Sequence, residues 1–243
     1  MLVGLQNYEG IYGMDKKKYI RNLGISAADE RTIAEKVQEV EAKTAGEIAL
    51  ALTRQSDSYS KNELLIAIVG TGIFSLLFLF CATWITDFLS FRNWNITMSP
   101  ARLLLVFLVS LALVLLAIFL LINIPAVERI FLSKKTQRAC VHRRAHLHFF
   151  ESGLYRTKEH TGILIFISVM ERMVYIYADE GIRSKVDQTV WQEICNELAV
   201  SIKHKKAGAG LVTAVERCGQ ILAQYVPAKG INKNEQADGL VIL

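Results

Sequence analysis

Two uninterrupted apolar runs limit what this chain can fold into more than any other feature. They cover residues 64–85 and 103–124 of a 243-residue sequence, and neither has a charged side chain in its middle. About 20 such residues allow a helix to cross the hydrocarbon of a bilayer, whereas a surface helix of a soluble protein is apolar along one stripe only. The sequence therefore predicts a two-helix transmembrane hairpin.

Lys and Arg residues are distributed unevenly around the two predicted spans. The connecting segment carries only Arg92 and Arg102. Positive residues tend to stay on the cytoplasmic side, so we predict a two-pass protein of the plasma (inner) membrane with both termini in the cytoplasm and the loop 86–101 outside. The outer flanks carry Arg54, Lys61, Arg129, Lys134, Lys135, Arg138, Arg143 and Arg144.

The net charge of +5 favours anionic partners. Much of the excess follows the second span, so we expect contact with the lipid bilayer and with anionic lipid headgroups near residues 129–148. No groove-reading motif for nucleic acid is present. Gly70, Gly72 and Ser75 would permit close helix approach, so contact with other membrane proteins stays open.

Five regions follow from these patterns. Residues 1–25 lack an apolar core and carry Lys16, Lys17 and Lys18, so a cleavable signal is not expected. We predict a polar N-terminal arm (1–25), the first part of an α/β domain (26–63), the transmembrane hairpin (64–125), the second part of the domain (126–227) and a mobile tail (228–243).

Local signals predict the elements of that domain. Ser26 and Asp29 form a capping box that begins a helix, which Gly46 is placed to stop. Ile48, Leu50 and Leu52 alternate with Glu47, Ala49 and Ala51, which is the two-residue period of a strand. We expect Gly208 and Gly210 to break the chain before a last helix.

Farther along, residues 163–167 are apolar on both faces, which is typical of a central strand. A tight turn at Met170, Glu171 and Arg172 leads into a second strand, so the pattern predicts a β-hairpin. The predicted fold class is α/β, a small mixed β-sheet flanked by helices, with the transmembrane hairpin inserted after the first strand.

Several of these segments together resemble the TPM-domain family, in particular its bacterial membrane-protein branch. The similar residues are Thr44-Ala45-Gly46-Glu47-Ile48, Thr161-Gly162-Ile163-Leu164-Ile165-Phe166-Ile167-Ser168, Glu171-Arg172, Ala178-Asp179-Glu180-Gly181-Ile182 and Val190-Trp191. The resemblance implies a compact α/β domain, usually tethered to or secreted across a membrane. Acid-phosphatase activity and calcium binding are ascribed to chloroplast relatives linked to photosystem II repair. The Asp-x-Ala-Gly segment that commonly precedes the family's first helix is missing around residues 23–28.

Asp179 and Glu180 are the candidate metal ligands, with Ca²⁺ or another divalent cation as the only cofactor expectation. They follow an apolar strand, where acidic and carbonyl oxygens could converge on a hard cation. The alternative is a turn in which Asp179 caps the next segment.

Other polar residues have plainer interpretations. His142 and His146 are spaced as a zinc pair would be, but the Glu of His-Glu-x-x-His is missing, and we expect them to join His148 at the headgroup surface. Glu171 and Arg172 are interpreted as a hairpin turn with a weak, exposed ion pair. Trp191 is expected in the core, and the four cysteines as isolated thiols.

The sequence thus predicts an integral membrane protein with a cytoplasm-facing TPM-like domain and a non-catalytic interaction or membrane-protein maintenance role. No catalytic residue can be named, so an enzyme is the less favoured class. Two alternatives stay open: a divalent-metal-assisted acid phosphatase and an accessory subunit of a membrane transporter.

Overall fold

The computed structural model describes residues 20–84, 99–122, 132–157, 159–228 and 239–243. The chain divides into two compact units. We call Met1–Asp57 with Gln137–Leu243 the α/β unit, and Ser58–Thr136 the hairpin unit. In sequence the apolar hairpin is thus an insertion in the α/β unit, as predicted.

The elements lie in the following order. The helices are α1 (Ala27–Glu41), α2 (Ser60–Phe80), α3 (Pro100–Ile122), α4 (Lys134–Glu151), α5 (Glu180–Arg183), α6 (Gln188–Lys203) and α7 (Ala207–Tyr225), with a 3-10 turn at Leu154–Arg156. The strands are β1 (Ile48–Thr53), β2 (Ile163–Ser168), β3 (Met173–Ala178) and β4 (Leu240–Ile242).

The four strands form one mixed sheet in the order β3-β2-β1-β4. β1 runs parallel to both β2 and β4, whereas β2 and β3 form the predicted antiparallel hairpin. The strand at Leu240–Ile242 lies where the sequence analysis placed a mobile tail, so the tail prediction is wrong for these residues. Three residues are too few to show the two-residue period of a strand, and this segment is a strand because it pairs with β1.

Helices cover both faces of the sheet. The larger core packs α1, α6 and α7 against one face, and the smaller core packs α4 against the other. In β1, Leu50 faces the larger core and Ala51 faces the smaller one, and both are buried. The predicted strand is confirmed, and both of its faces are covered, because α4 packs on the side of Ala49 and Ala51.

The start of α1 confirms the predicted capping box. The Ser26 hydroxyl accepts the Asp29 amide at 3.1 Å, and the Asp29 carboxylate accepts the Ser26 amide at 2.7 Å. The helix ends at Glu41, five residues before Gly46. The buried Glu41 carboxylate accepts the Ile48 amide at 2.8 Å, which ties the helix end to the first strand.

The predicted break at Gly208 and Gly210 is wrong, because both residues lie in the first turn of α7. A Cβ atom at Gly208 would lie 2.5 Å from the Asp29 side chain, and one at Gly219 would lie 2.5 Å from Cγ2 of Val40. Such separations are sterically forbidden, so glycine is needed for α7 to approach α1 closely. Packing between helices, rather than a chain reversal, accounts for Gly208 and Gly219.

The hairpin unit consists of α2 and α3, which pack side by side in opposite directions. The Phe107 ring lies 4.9 Å from the Phe78 ring and 6.5 Å from the Phe74 ring. A Cβ at Gly70 would lie 3.0 Å from Ile118, so the expected close approach at this residue is present. Asn62–Phe80 and Pro100–Leu121 are long and apolar enough to cross a membrane. Residues 85–98 of the predicted loop lie outside the described part of the chain.

Candidate functional site

The two predicted metal ligands lie at the end of β3, where the chain turns into α5. Asp179 Oδ1 accepts the Glu180 amide at 2.8 Å, and Oδ2 lies 3.3 Å from Nδ1 of His160. The exposed Glu180 carboxylate pairs with Arg183. Asp179 thus caps α5, as the alternative interpretation of this turn proposes.

The more distant acids do not join this pair. Asp187 caps α6 by accepting the Thr189 amide at 2.8 Å, and Glu47 is buried just before β1. Among the residues that the structure describes, no group of three or more His, Cys, Asp or Glu side chains could hold a metal ion. A Ca²⁺ ion takes six to eight oxygen ligands. The assignment of Asp179 and Glu180 as metal ligands therefore stays a prediction, and the observed geometry does not strengthen it.

The cysteines are free thiols, of which Cys140, Cys195 and Cys218 are buried. Burial raises the pKa of Cys195 to about 11 and that of Cys218 to about 12. Thiols are nucleophiles and metal ligands as thiolates, so both of these residues are unreactive near neutral pH. Cys195 accepts the backbone amide of Ile176 and so binds α6 to the edge strand β3.

Three histidines of α4 divide between the two sides of that helix. The His142 ring stacks on Tyr175 at 4.0 Å, and the His146 ring packs edge-on against Tyr177 at 5.1 Å. His148 is buried, so its predicted place at a headgroup surface is wrong. Burial and the nearby Arg144 lower the pKa of His148. Val141 and Ala145, on the same face of the helix as His148, belong to the core between α4 and the sheet, so His148 lies on the inward side as well.

A buried polar cluster lies where β1 and β2 end, at the end of the sheet opposite to Asp179. Glu171 is 3% exposed and accepts the Ser56 amide at 3.0 Å. The Ser56 hydroxyl donates to Ser168 at 2.8 Å, and the Ser168 hydroxyl donates to Glu171. The predicted hairpin turn is confirmed, and Arg172 in it is exposed with a positive φ of 54°. The expected exposure is wrong for Glu171, whose side chain is buried. The carboxylate fixes the segment after β1 to the β2–β3 turn.

The predicted core position of Trp191 is confirmed. Trp191 is 3% exposed and packs in the larger core. Its indole N–H has no hydrogen-bond partner among the described residues. The residue therefore contributes apolar surface to the core, as its place on the α6 stripe predicts.

An open groove of about 500 Å³ lies beside the polar cluster. Ser56 and Asp57 form one wall, and the other wall is α4, with Arg143, Arg144, His146, Leu147 and Phe150. Asp57 pairs with Arg143 and accepts a hydrogen bond from the Cys140 thiol at 3.5 Å. The site combines guanidinium donors, a carboxylate and exposed apolar side chains, a set suited to binding an amphipathic anion. Sequence reasoning identified the basic helix, but not the wall supplied by residues that precede the hairpin.

Comparisons with known proteins agree with this architecture. The family model described as TPM domain matches residues 129–221. The NMR structure of BA42 protein from the psychrophilic bacterium Bizionia argentinensis is similar, with a TM-score of 0.51 and 18% sequence identity. This similarity covers 90% of the present chain and 95% of the BA42 chain, and it concerns the fold.

No curated protein matches the chain. The residues that match the family model run from the segment before α4 into α7 and include the β2–β3 hairpin and the Asp179 turn. The sequence resemblance is thereby confirmed for residues 129–221, which match the TPM domain, and the chain also carries two helices long and apolar enough to span a membrane.

Proposed function

We propose that this chain is a two-pass protein of the plasma (inner) membrane whose TPM domain lies in the cytoplasm. In this proposal the domain acts by non-catalytic interaction at the membrane surface, in the maintenance of membrane proteins. The observation that carries the proposal is the outward orientation of the apolar side chains of the hairpin unit. A chain that buries its apolar residues in one unit and exposes them in the other needs a second, apolar solvent.

The exposures of individual residues support membrane insertion. Leu76 is 69% exposed, Phe80 is 84% exposed and Leu105 is 62% exposed. The core helix of a soluble protein would bury such side chains.

Interaction is favoured over catalysis because the candidate acids already have structural roles. Asp179 caps α5, and Glu180 pairs with Arg183. By contrast, the exposed cations Lys134, Lys135 and Arg138 follow the second candidate span closely in sequence. Basic residues next to a span are attracted to anionic headgroups.

Impermeant thiol labelling of the full chain in intact cells tests the orientation. In a background without native cysteines, Ser99→Cys would place a thiol at the start of α3, and Ser184→Cys would place one on the exposed surface of the α/β unit. We expect Ser99→Cys to react from outside the cell and Ser184→Cys to react only after permeabilisation. The reverse pattern would show that the topology is inverted, and release of the chain by alkaline carbonate would contradict membrane insertion.

The metal-assisted phosphatase is the second function that the same preparation can test. Its basis is the match to the family's Asp179 turn, where a cation would polarise a phosphoryl oxygen. Calorimetry with calcium, magnesium and manganese should then show binding that Asp179→Ala abolishes, together with loss of phosphate-monoester turnover. Our proposal expects neither heat of binding nor turnover.

The accessory-subunit alternative depends on the hairpin as a contact surface. Photocrosslinkers placed at exposed positions of α2 and α3 would capture one transporter under this alternative. Under the proposed function they capture lipid and a range of membrane proteins.

A further inference from the structure

The groove between the segment after β1 and helix α4 has the chemistry of a phosphate site. Arg143 and Arg144 both line it, with side chains that are 68% and 29% exposed. Each engages one carboxylate through a terminal nitrogen, Arg143 with Asp57 and Arg144 with Glu151. A guanidinium has five N–H donors in a planar fork that matches phosphate oxygens. Both side chains therefore have the donor capacity to bind a phosphate.

Asp57 occupies the position that an anionic ligand would take beside Arg143. The ion pair is partly exposed, since the Asp57 side chain is 35% exposed, and exposed ion pairs contribute little free energy. A doubly coordinated phosphate can displace such a carboxylate. Asp57 is thus an internal competitor for the ligand.

Apolar side chains border the same groove. Leu147 is 49% exposed and Phe150 is 45% exposed, although both belong to a helix whose inner side is well packed. An inorganic phosphate ion has no apolar group that could pack against such side chains, whereas a phospholipid carries acyl chains close to its phosphate. The pairing of cations with exposed apolar groups is characteristic of surfaces that insert into a headgroup region.

The length of the chain limits how far Asp57 can lie from the first candidate span. Asn62, where the first candidate span begins, lies five residues after Asp57. That length reaches at most about 18 Å when fully extended, which is less than the thickness of the hydrocarbon core. If Asn62–Phe80 crosses a membrane, the chain holds Asp57 within that distance of the start of the span.

We infer that this groove binds the phosphate-bearing headgroup of an anionic phospholipid. Arg143 and Arg144 hold the phosphate, Asp57 gives way to it, and Leu147 and Phe150 contact the glycerol and upper acyl region. The inference rests on the proposed function, because it needs the hairpin to lie in a bilayer. It assigns the expected headgroup contact to one site instead of spreading it over the basic helix.

Native mass spectrometry of the full chain in a neutral detergent tests the inference. Phosphatidylglycerol and phosphatidylcholine are titrated separately, and bound lipids are counted. We expect Arg143→Ala and Arg144→Ala each to weaken phosphatidylglycerol binding about tenfold, the effect of one lost charge-assisted hydrogen bond. Asp57→Asn should strengthen it, because the competing carboxylate is removed.

Matched variants separate the site from general charge. Arg138→Ala removes a cation from the same helix outside the groove, and Arg31→Ala and Glu35→Gln change the charge of α1, on the opposite face of the sheet. We expect these three variants to change phosphatidylglycerol binding less than twofold. Equal weakening by Arg138→Ala and Arg143→Ala would show that the charge acts diffusely and would overturn the site.

Two further outcomes also overturn the inference. Displacement of the lipid by millimolar inorganic phosphate would identify a soluble ligand, and equal binding of phosphatidylcholine would remove the role of the headgroup charge. If Arg143→Ala fails to fold, Asp57→Asn and its control Glu35→Gln still decide the sign of the effect. A chain that stays membrane-embedded without phosphatidylglycerol preference contradicts the groove alone, whereas release by carbonate contradicts the proposed function.

Discussion

The two units of this molecule use similar apolar side chains in opposite ways. In the α/β unit, Phe149 and Phe166 are buried between a helix and the sheet. In the hairpin unit, Phe80 and Leu76 face outward although their helices pack against each other. The contrast follows from periodicity: a helix with one apolar stripe buries that stripe and turns its other side to water, whereas α2 and α3 are apolar on all sides and expose much of that surface.

The largest expected difference between the units comes from truncating a phenylalanine. Phe149→Ala should destabilise the α/β unit by about 3–5 kcal/mol, because it removes a fully buried ring and leaves a cavity. The matched change Phe80→Ala should leave the stability of the hairpin unit unchanged, since that ring is 84% exposed. Urea unfolding of the full chain in detergent, followed by pulse proteolysis, measures both. Equal effects would show that the units do not differ in the way their exposures indicate.

An arginine introduced at an exposed position should have the opposite pattern, with a large effect in the hairpin unit and a small one in the α/β unit. Leu113→Arg lies in the middle of α3 at a 61% exposed position, and should cost about 2.5–3.5 kcal/mol of membrane insertion. Val200→Arg on α6, 56% exposed, should change stability by no more than about 0.5 kcal/mol, as water-facing substitutions do. The fraction of chain resistant to carbonate extraction measures insertion. If Leu113→Arg inserts like the natural chain, α3 does not face lipid.

Glu171 tests how the α/β unit tolerates an acid in its interior. Glu171→Ala should destabilise it by about 2–3 kcal/mol, because the Ser56 amide and the Ser168 hydroxyl lose their acceptor. Glu180→Ala, at a 69% exposed side chain, is the matched control and should have little effect. The measurement is again the urea midpoint, and a small loss for Glu171→Ala would mean that water replaces the carboxylate.

A smaller effect is expected at glycines in the two units. Gly219→Ala should destabilise the α/β unit by about 1–2 kcal/mol, because overpacking against Val40 exceeds the gain in helix propensity. A Cβ at Gly72 would meet no atom within 4 Å among the described residues, so Gly72→Ala should not destabilise the chain. Thermal unfolding distinguishes the two. Stabilisation by Gly219→Ala would show that α1 and α7 can separate without loss.

The smallest expected effect is a pH dependence that resides in α4. Burial lowers the pKa of His148 from its ordinary value of 6.5, so the unfolded chain takes up a proton at a higher pH than the folded one. The contribution of His148 to stability is therefore complete above pH 6.5 and is lost as the pH falls through the folded-state pKa. His148→Gln should reduce the decrease in unfolding midpoint between about pH 7.5 and about pH 5.5. An unchanged slope would assign the pH dependence to other groups.

Much of the fold is predictable because its signals are local. The Ser26–Asp29 capping box, the apolar run of β2 and the two candidate spans each depend on residues close in sequence. The Glu171 cluster has no such signal, since Ser56 lies 115 residues before its acceptor. Likewise β4 and the glycines of α7 are specified by partners far along the chain. In the candidate groove, the basic helix α4 could be predicted from the sequence, whereas the opposite wall formed by Ser56 and Asp57 could not.

The order of residues alone specifies which segments suit water and which suit hydrocarbon, because each side chain carries its own free energy of transfer. It also carries the TPM-domain resemblance, in the residues around β2 and β3. Folding in three dimensions was required to bury Glu171, to turn His148 inward and to place Asp57 opposite Arg143 across a groove. The reason is physical: such contacts join strands and helices separated by the whole hairpin, and local periodicity holds no information on which of them become neighbours.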